Sequence, residues 1–428
     1  MASTTYDHES ATSAALAVLE RLEQLDDPAV VISAVAASQL MEWAAAIDAR
    51  PPGEVPLRGT TFAVKDNIDV VGSPTTAACP TFAEGPATQS ATVVAALLEA
   101  GALPVAKANL DQFATGLVGT RSPHGTPRNP FDPHLIPGGS SAGSAVAVAT
   151  GLVDFALGTD TAGSGRVPAA MCGLVGIKPT RGSLSCSGVL PAVRSIDCVS
   201  VFARQLDLAA RVAGVAAGFD ESDPFSRIAP AVAVRPVRVL GVLGDDALHL
   251  AGTDETIIDA YRITLGQLTE LGFELIEIDP QPLFDIGDQL YGGSWVAERL
   301  TGIGPFVKHL DHPEQFDPVV GTILSDAAAY TAGDVHRSQY ALAHHKHGVR
   351  RLFEEVDAVA FPTIGQLPTL AQVERDPIGV NSRLGRFTTF TNLADLAAVT
   401  LPVGAPLAPG LPPFSLSLHG PAWSDRAL

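Results

Sequence analysis

The sequence predicts an α/β protein built around a β-sheet, and three observations carry that expectation. Short apolar runs alternate with helical periodicities through most of the chain, the pattern of sheet proteins with interleaved helices rather than of bundles or sandwiches. Several of these runs end on clusters of Gly, Ser, Thr, Asp and Lys, at the strand ends where open sheets gather their sites. The composition, 46% hydrophobic and 17% charged over 428 residues, supplies a sizeable core and too little charge for disorder. That length suits two or three domains, or one large α/β enzyme.

The elements follow in order. Thr12 to Leu25 places Leu16, Leu19 and Leu22 at helical spacing, and Ala34 to Ala49 is a second helical stretch, closed by Pro51-Pro52-Gly53. Thr61 to Val64 reads as a strand ending at Lys65-Asp66-Asn67, Thr92 to Ala100 as a helix stopped at Gly101, and Leu103 to Ala106 as a strand. Ala145 to Leu152 is helical, and Phe155 to Leu157 is a strand running into Gly158-Thr159-Asp160. Gly218 to Pro236 reads as an extended connection. Val237 to Leu243 restarts the pattern, followed by a helix from Asp254 to Leu271 stopped at Gly272, and by strands at Phe273 to Ile278 and Ala358 to Phe361. Pro- and Gly-rich turns are expected beyond that, and Ser424 to Leu428 reads as the start of a helix.

With 27 basic and 46 acidic residues the formal charge is −19, a field that disfavours nucleic acid and anionic lipid as partners. Trp43, Trp295 and Trp423 are too dispersed for a base-stacking platform. No apolar run reaches about 18 residues and no basic-then-apolar leader opens the chain, so a cytoplasmic protein is expected. Cys79, Cys172, Cys186 and Cys198 are too widely spaced for a structural zinc motif. His344-His345-Lys346-His347 would splay adjacent imidazoles about 100° apart on a helix, which suits a solvated face better than a metal. No metal or cofactor is expected.

The densest chemical signal is Pro137-Gly138-Gly139-Ser140-Ser141-Ala142-Gly143-Ser144, followed 24 residues beyond Ser140 by Ser164 in Gly158-Thr159-Asp160-Thr161-Ala162-Gly163-Ser164-Gly165-Arg166. Taken singly, each is an ordinary Gly/Ser turn. Neither has the spacing of a phosphate-binding loop, a dinucleotide fingerprint or a hydrolase nucleophile elbow. A serine nucleophile needs a base, and Lys65, at the end of its strand, is the candidate.

Together these segments resemble the amidase signature family of Ser-cisSer-Lys hydrolases, and the resemblance runs from about Pro56 to the C-terminus. It implies a large mixed central β-sheet covered by helices on both sides. It assigns Lys65 as base, Ser140 as bridging serine after a cis Gly139-Ser140 bond, Ser164 as nucleophile, and the amides of Thr161, Ala162 and Gly163 as oxyanion hole. Lys178-Pro179-Thr180-Arg181-Gly182 matches a further family segment. Ala162 replaces the usual glycine and Gly165 the usual branched residue, while Arg166 is either a ligand to substrate or a structural clamp, the clamp being favoured because a better anion receptor follows later in the chain. The runs Asn109 to Ser122 and Arg194 to Ser200 are similar to the allophanate hydrolase branch. That likeness implies hydrolysis of the small anion urea-1-carboxylate, a functional link to urea carboxylase, and a homodimer. Tyr291 and Arg299 resemble the branch's substrate-binding pair. On one helix, residues eight apart would lie about 80° apart, so both can face one pocket, especially if the Gly292-Gly293 pair bends the segment. The expected organisation is a single amidase domain over 1–428 with a helical segment over about 1–50, without the additional C-terminal domain that full-length members commonly carry. The alternatives are another amidase signature hydrolase, whether a small-amide amidase or the glutaminase-type component of an amidotransferase, and a non-enzymatic structural partner.

Overall fold

A computed structural model of the chain describes residues 10–83, 85–231 and 235–428. Eleven strands form one sheet: β1 (Val31–Ala34), β2 (Thr61–Lys65), β3 (Leu103–Ala108), β4 (Phe155–Asp160), β5 (Val175–Lys178), β6 (Cys198–Ala203), β7 (Val239–Val242), β8 (Glu274–Glu277), β9 (Ala358–Pro362), β10 (Leu396–Pro406) and β11 (Pro413–Pro421). Their order is β1-β3-β2-β4-β6-β5-β10-β11-β9-β7-β8. The sheet is mixed. β2 runs parallel to both β3 and β4, and β7 parallel to β8 and β9, while the middle is joined by antiparallel pairs.

Alternation along β2 and β4 explains why both faces are covered. Phe62 and Val64, with Phe155 and Leu157, pack on one side with Val94, Leu97, Leu208 and Val212, which belong to the helices Thr92–Glu99 and Leu206–Ala216. Phe62 and Phe155 are register partners and stack with ring centroids 4.9 Å apart. Ala63 and Ala156 point the other way, into a cluster built from the helices Ala11–Glu23, Ala37–Asp48 and Ala142–Ala149. Small residues on that face let the Ala-rich helix that follows Ser140 and Ser141 lie close to the sheet.

Several sequence expectations change here. The segment read as helix from Ala34 begins as β1, and its helix starts only at Ala37. The helix expected from Ala145 starts at Ala142, so Gly143 and Ser144 are helical. β1, β5, β6, β10 and β11 were not expected from the sequence. The last two stand where Pro- and Gly-rich turns were expected, because proline in a run argues against a strand. Pro402 is accommodated since β10 pairs with β5 only from Ala398 to Thr400, leaving one edge of β10 without a ladder at that proline. Ser424 to Leu428 forms turns, not a helix. The connection over 218–236 holds no regular element among its described residues, with 232–234 outside them, as are the first nine residues of the expected helical segment. No helix among the described residues is long and apolar enough to cross a membrane.

Because β2 and β4 are parallel neighbours, Lys65 at the end of β2 and the turn that follows Asp160 at the end of β4 emerge at the same edge of the sheet.

Candidate active site

Lys65, Ser140 and Ser164 meet at that edge in one hydrogen-bonded line. The Lys65 ammonium, fully buried, donates to Ser140 Oγ at 2.8 Å and to Thr159 Oγ1 at 2.8 Å. Ser140 Oγ in turn donates to Ser164 Oγ at 3.0 Å, and the Ser164 hydroxyl also lies 3.4 Å from the Gly116 carbonyl. Ser140 follows a cis Gly139–Ser140 bond, and its carbonyl accepts from the Asp111 amide at 3.0 Å. Gly139 has to be glycine, since a Cβ there would collide with the Asp111 carboxylate and the Gly119 amide.

The turn that carries Ser164 is fixed from three directions. Asp160 takes Arg166 in a bidentate pair, Nε to Oδ2 and Nη2 to Oδ1, both 2.9 Å, and the Gly165 amide at 3.0 Å. Arg166 is fully buried and also donates to the Thr388 carbonyl and Thr391 Oγ1. It is therefore a clamp, the favoured of its two sequence readings, and not a group held out for a ligand. Thr388 Oγ1 donates to the Ala162 carbonyl at 2.8 Å, and Asn392 Nδ2 to the Asp160 carbonyl at 2.7 Å. Among the described residues, no acceptor takes the amides of Thr161, Ala162 or Gly163, although Thr161, Ala162 and Ser164 are buried. Unpaired N–H groups in a turn beside a buried hydroxyl are what an oxyanion site requires.

Two buried carboxylates to which the sequence alone assigned no role hold the walls. Asp111 accepts from the Gly119 and Arg121 amides at 3.0 and 2.9 Å. Asp197 accepts from Thr161 Oγ1 at 2.5 Å and from the Ala192 and Val193 amides. Both lie inside the sequence runs that mark the allophanate hydrolase branch; Asp111 closes its own run by taking amides 8 and 10 residues on, while Asp197 reaches across to the turn that carries Ser164. The signal available for them was an acidic residue in a segment otherwise short of charge.

The electrostatics follow from burial. Lys65 is pushed down from its ordinary 10.5 to about 7, mainly because burial disfavours the ammonium, with Arg299 pushing the same way while Asp111, Asp197 and Asp160 oppose. Burial also raises Asp197 to about 6 and raises Asp111. Burial acts upward on Asp160 too, but the Arg166 guanidinium, with Lys178 and the Gly165 amide, outweighs it and holds that carboxyl below its ordinary value.

Tyr291 and Arg299 are near this line, but not on one helix. The helix Gln281–Gly292 ends just past Tyr291, Gly293 is extended, a short 3-10 turn spans Ser294–Ala297, and a new helix Glu298–Gly302 carries Arg299. The Gly292-Gly293 pair, where the sequence allowed for a bend, interrupts the helix, so the rotation of an unbroken helix does not apply. Arg299 is buried, and its Nη1 donates to Thr115 Oγ1 at 3.0 Å and lies within 3.5 Å of the Phe113 and Ala114 carbonyls. Its Nε has no partner among the described residues. The Arg299 guanidinium acts on Asp197 through space, opposing the upward push of burial on that carboxyl, but the fully buried ion pairs among the described residues, Lys107–Asp66 and Arg166–Asp160, lie elsewhere. Tyr291 is half-buried, with its hydroxyl kept protonated by burial.

The histidines at 344, 345 and 347 lie on the helix Ala332–Glu355. Among the described residues no three His, Cys, Asp or Glu side chains are grouped to hold a metal ion. All four cysteines are free and buried.

Comparison with known proteins gives the family. The chain is 43% identical to the urea amidolyase of Saccharomyces cerevisiae over 98% of its own length, and 42% identical to that of Lachancea kluyveri over 94%. It spans only 23% and 22% of those two proteins. It is 30% identical to Amidase 1 of Oryza sativa subsp. japonica, covering 88% of this chain and 90% of the relative. Among solved structures, the allophanate hydrolase of Kluyveromyces lactis superposes with a TM-score of 0.91 at 38% identity, covering 98% of this chain and 69% of that one. The Amidase family profile matches residues 13–428, which takes in every residue of the hydrogen-bonded line and the turns that hold it, so the chain belongs to the Amidase family.

Proposed function

We propose that the chain hydrolyses urea-1-carboxylate (allophanate) through an acyl-enzyme on Ser164. The observation that carries the reading is the buried Lys65–Ser140–Ser164 line beside Arg299, a buried guanidinium without a paired carboxylate among the described residues. The likeness to urea amidolyases and to an allophanate hydrolase structure supports the choice of substrate.

Lys65 at about 7 is neutral in a large fraction of molecules near neutrality. Neutral Lys65 accepts the Ser140 proton while Ser140 accepts that of Ser164, and Ser164 Oγ attacks the terminal amide carbon of the substrate. The oxyanion forms against the amides of Thr161, Ala162 and Gly163. Proton return through Ser140 to the leaving nitrogen expels ammonia and leaves a carboxylated carbamoyl ester on Ser164. Water, activated by the same pair, then releases N-carboxycarbamate, which breaks down to ammonia and carbon dioxide. Arg299 pairs with the substrate carboxylate through its planar fork, and Tyr291 donates its hydroxyl from the pocket wall.

On this reading the substrate comes from urea carboxylation, which is the functional link to urea carboxylase, and the chain works as a homodimer without metal or cofactor. The one sheet running from Val31 to Pro421 supports reading 1–428 as one amidase domain. Ammonia release measured from urea-1-carboxylate, glutamine and propionamide tests the assignment. The expected result is efficient turnover of urea-1-carboxylate; efficient turnover of glutamine or propionamide without it would overturn the choice of substrate.

A further inference from the structure

The sequence run Arg194 to Ser200 has no part in the reaction as described, yet it joins the two halves of the site. Glu298, the residue before Arg299, reaches across to it. The Glu298 carboxylate accepts from the Ser195 amide at 2.7 Å and from Ser195 Oγ at 2.6 Å. The Ser195 carbonyl accepts from Arg181 Nη1 at 2.8 Å. Two residues on, Asp197 ties the same loop to Thr161 in the turn that carries Ser164, and the chain continues directly into β6, where Cys198 pairs with Asp160. A continuous path of charge-assisted hydrogen bonds and backbone therefore runs from the Ser164 turn to the arginine.

The tip of that arginine is held by Thr115 Oγ1 beside the Phe113 and Ala114 carbonyls, and its backbone is held separately. Its helix has five residues, and the segment before it is broken at Gly293. Behind Ser195 and Glu298 lies a cavity of about 510 Å³, bordered by Trp295, Thr301, Leu342 and Lys346. One flank of the segment packs through Leu300 and Ile303 on a cluster with Phe306 and Val320, while the flank that carries Glu298 borders the cavity and is held by the hydrogen bonds to Ser195.

The geometry points to Ser195 and Glu298 as positioning residues that set the distance between the Arg299 guanidinium and the Ser164 turn, and so restrict the enzyme to short acids whose carboxylate reaches Arg299 when the amide carbon reaches Ser164. This inference rests on the substrate-binding role given to Arg299 above. Glu298 touches no reacting atom; it acts through the backbone of its neighbour.

The test uses malonamate, which has the length of urea-1-carboxylate with CH2 in place of NH, and propionamide, which replaces its carboxylate by a methyl group. Equilibrium binding of malonamate to full-length Ser164→Ala protein is measured with and without Glu298→Ala, Glu298→Gln or Ser195→Ala. Glu298→Ala is expected to weaken binding about tenfold or more. Glu298→Gln keeps an acceptor for the Ser195 amide and is expected to recover part of that loss. In otherwise wild-type protein, Glu298→Ala should raise KM for malonamate with kcat within about threefold, and leave propionamide turnover unchanged. Unchanged malonamate binding in folded Glu298→Ala protein, or an equal loss on propionamide, overturns the inference. If the wild type binds malonamate in this Glu298-dependent way but does not turn over urea-1-carboxylate, the substrate assignment fails and the positioning role stands. If malonamate does not bind with Arg299 and Glu298 both intact, both readings fail.

Discussion

Replacing Lys65 by Met separates catalysis from stability in a way that follows from the lysine's burial. A fall from 10.5 to about 7, at 1.36 kcal/mol per pH unit, is about 5 kcal/mol by which the fold disfavours the ammonium. Between pH 7 and 10.5 the unfolded chain carries a proton on Lys65 that the folded chain has lost. Unfolding in that window takes up a proton, so wild-type stability gains with rising pH. Below pH 7 both states hold the proton and the penalty is fully present. Lys65→Met removes the titration and fills much the same volume, at the cost of the donor to Ser140 and Thr159, a loss of about 1–3 kcal/mol that is independent of pH over this range. The assay is guanidinium chloride unfolding of both proteins at pH 6.5 and pH 9, with the difference taken so that the other titrating groups cancel. Between those two pH values the wild type should gain about 2.5 kcal/mol relative to the variant, while the variant loses turnover by about 10²-fold or more. A difference in stability that does not change between the two pH values would refute a lysine held near neutrality by burial.

Arg166→Met leaves Asp160 buried without its bidentate partner, so unfolding titrations should show a loss of about 3–5 kcal/mol at neutral pH. The deficit should shrink as pH falls and Asp160 takes up a proton. Gly163→Ala places a methyl group against the Thr388 hydroxyl at a residue with φ of +141°, which displaces an oxyanion amide. Its kcat should fall on the order of 100-fold with a smaller change in KM, as read from steady-state kinetics. Arg299→Lys keeps a charge but loses the fork, so KM for urea-1-carboxylate should rise about tenfold or more while propionamide turnover holds.

The legible part of this molecule was local. Lys65, Ser140 and Ser164 each sit in a contiguous stretch whose small residues and strand-end position announce a turn, and the parallel pairing of β2 and β4 brings those turns together. The hydrophobic alternation around Thr61 and Phe155 likewise placed two central strands. What escaped was set by how the loops fold rather than by any local pattern of residues. Asp111, Asp197 and Glu298 look like isolated acids along the chain, and only the folded loops give them Arg121, Thr161 and Ser195 as neighbours. Helical spacing between Tyr291 and Arg299 gives no angle once the Gly292-Gly293 pair bends the segment, and the extended Gly293 resets the phase between them. β10 and β11 escaped because their prolines read as turns. A proline can occupy Pro402 because the ladder to β5 has already ended there.

The most direct test is of the covalent step on Ser164. Protein mixed with urea-1-carboxylate is quenched within the first turnover, digested, and weighed peptide by peptide. The expected result is a transient adduct on the peptide containing Ser164, equal in mass to urea-1-carboxylate minus ammonia, formed together with the first ammonia and absent in Ser164→Ala. Ammonia release at the wild-type rate by Ser164→Ala, or an adduct on another residue that forms and decays with turnover, would contradict acyl transfer through this serine.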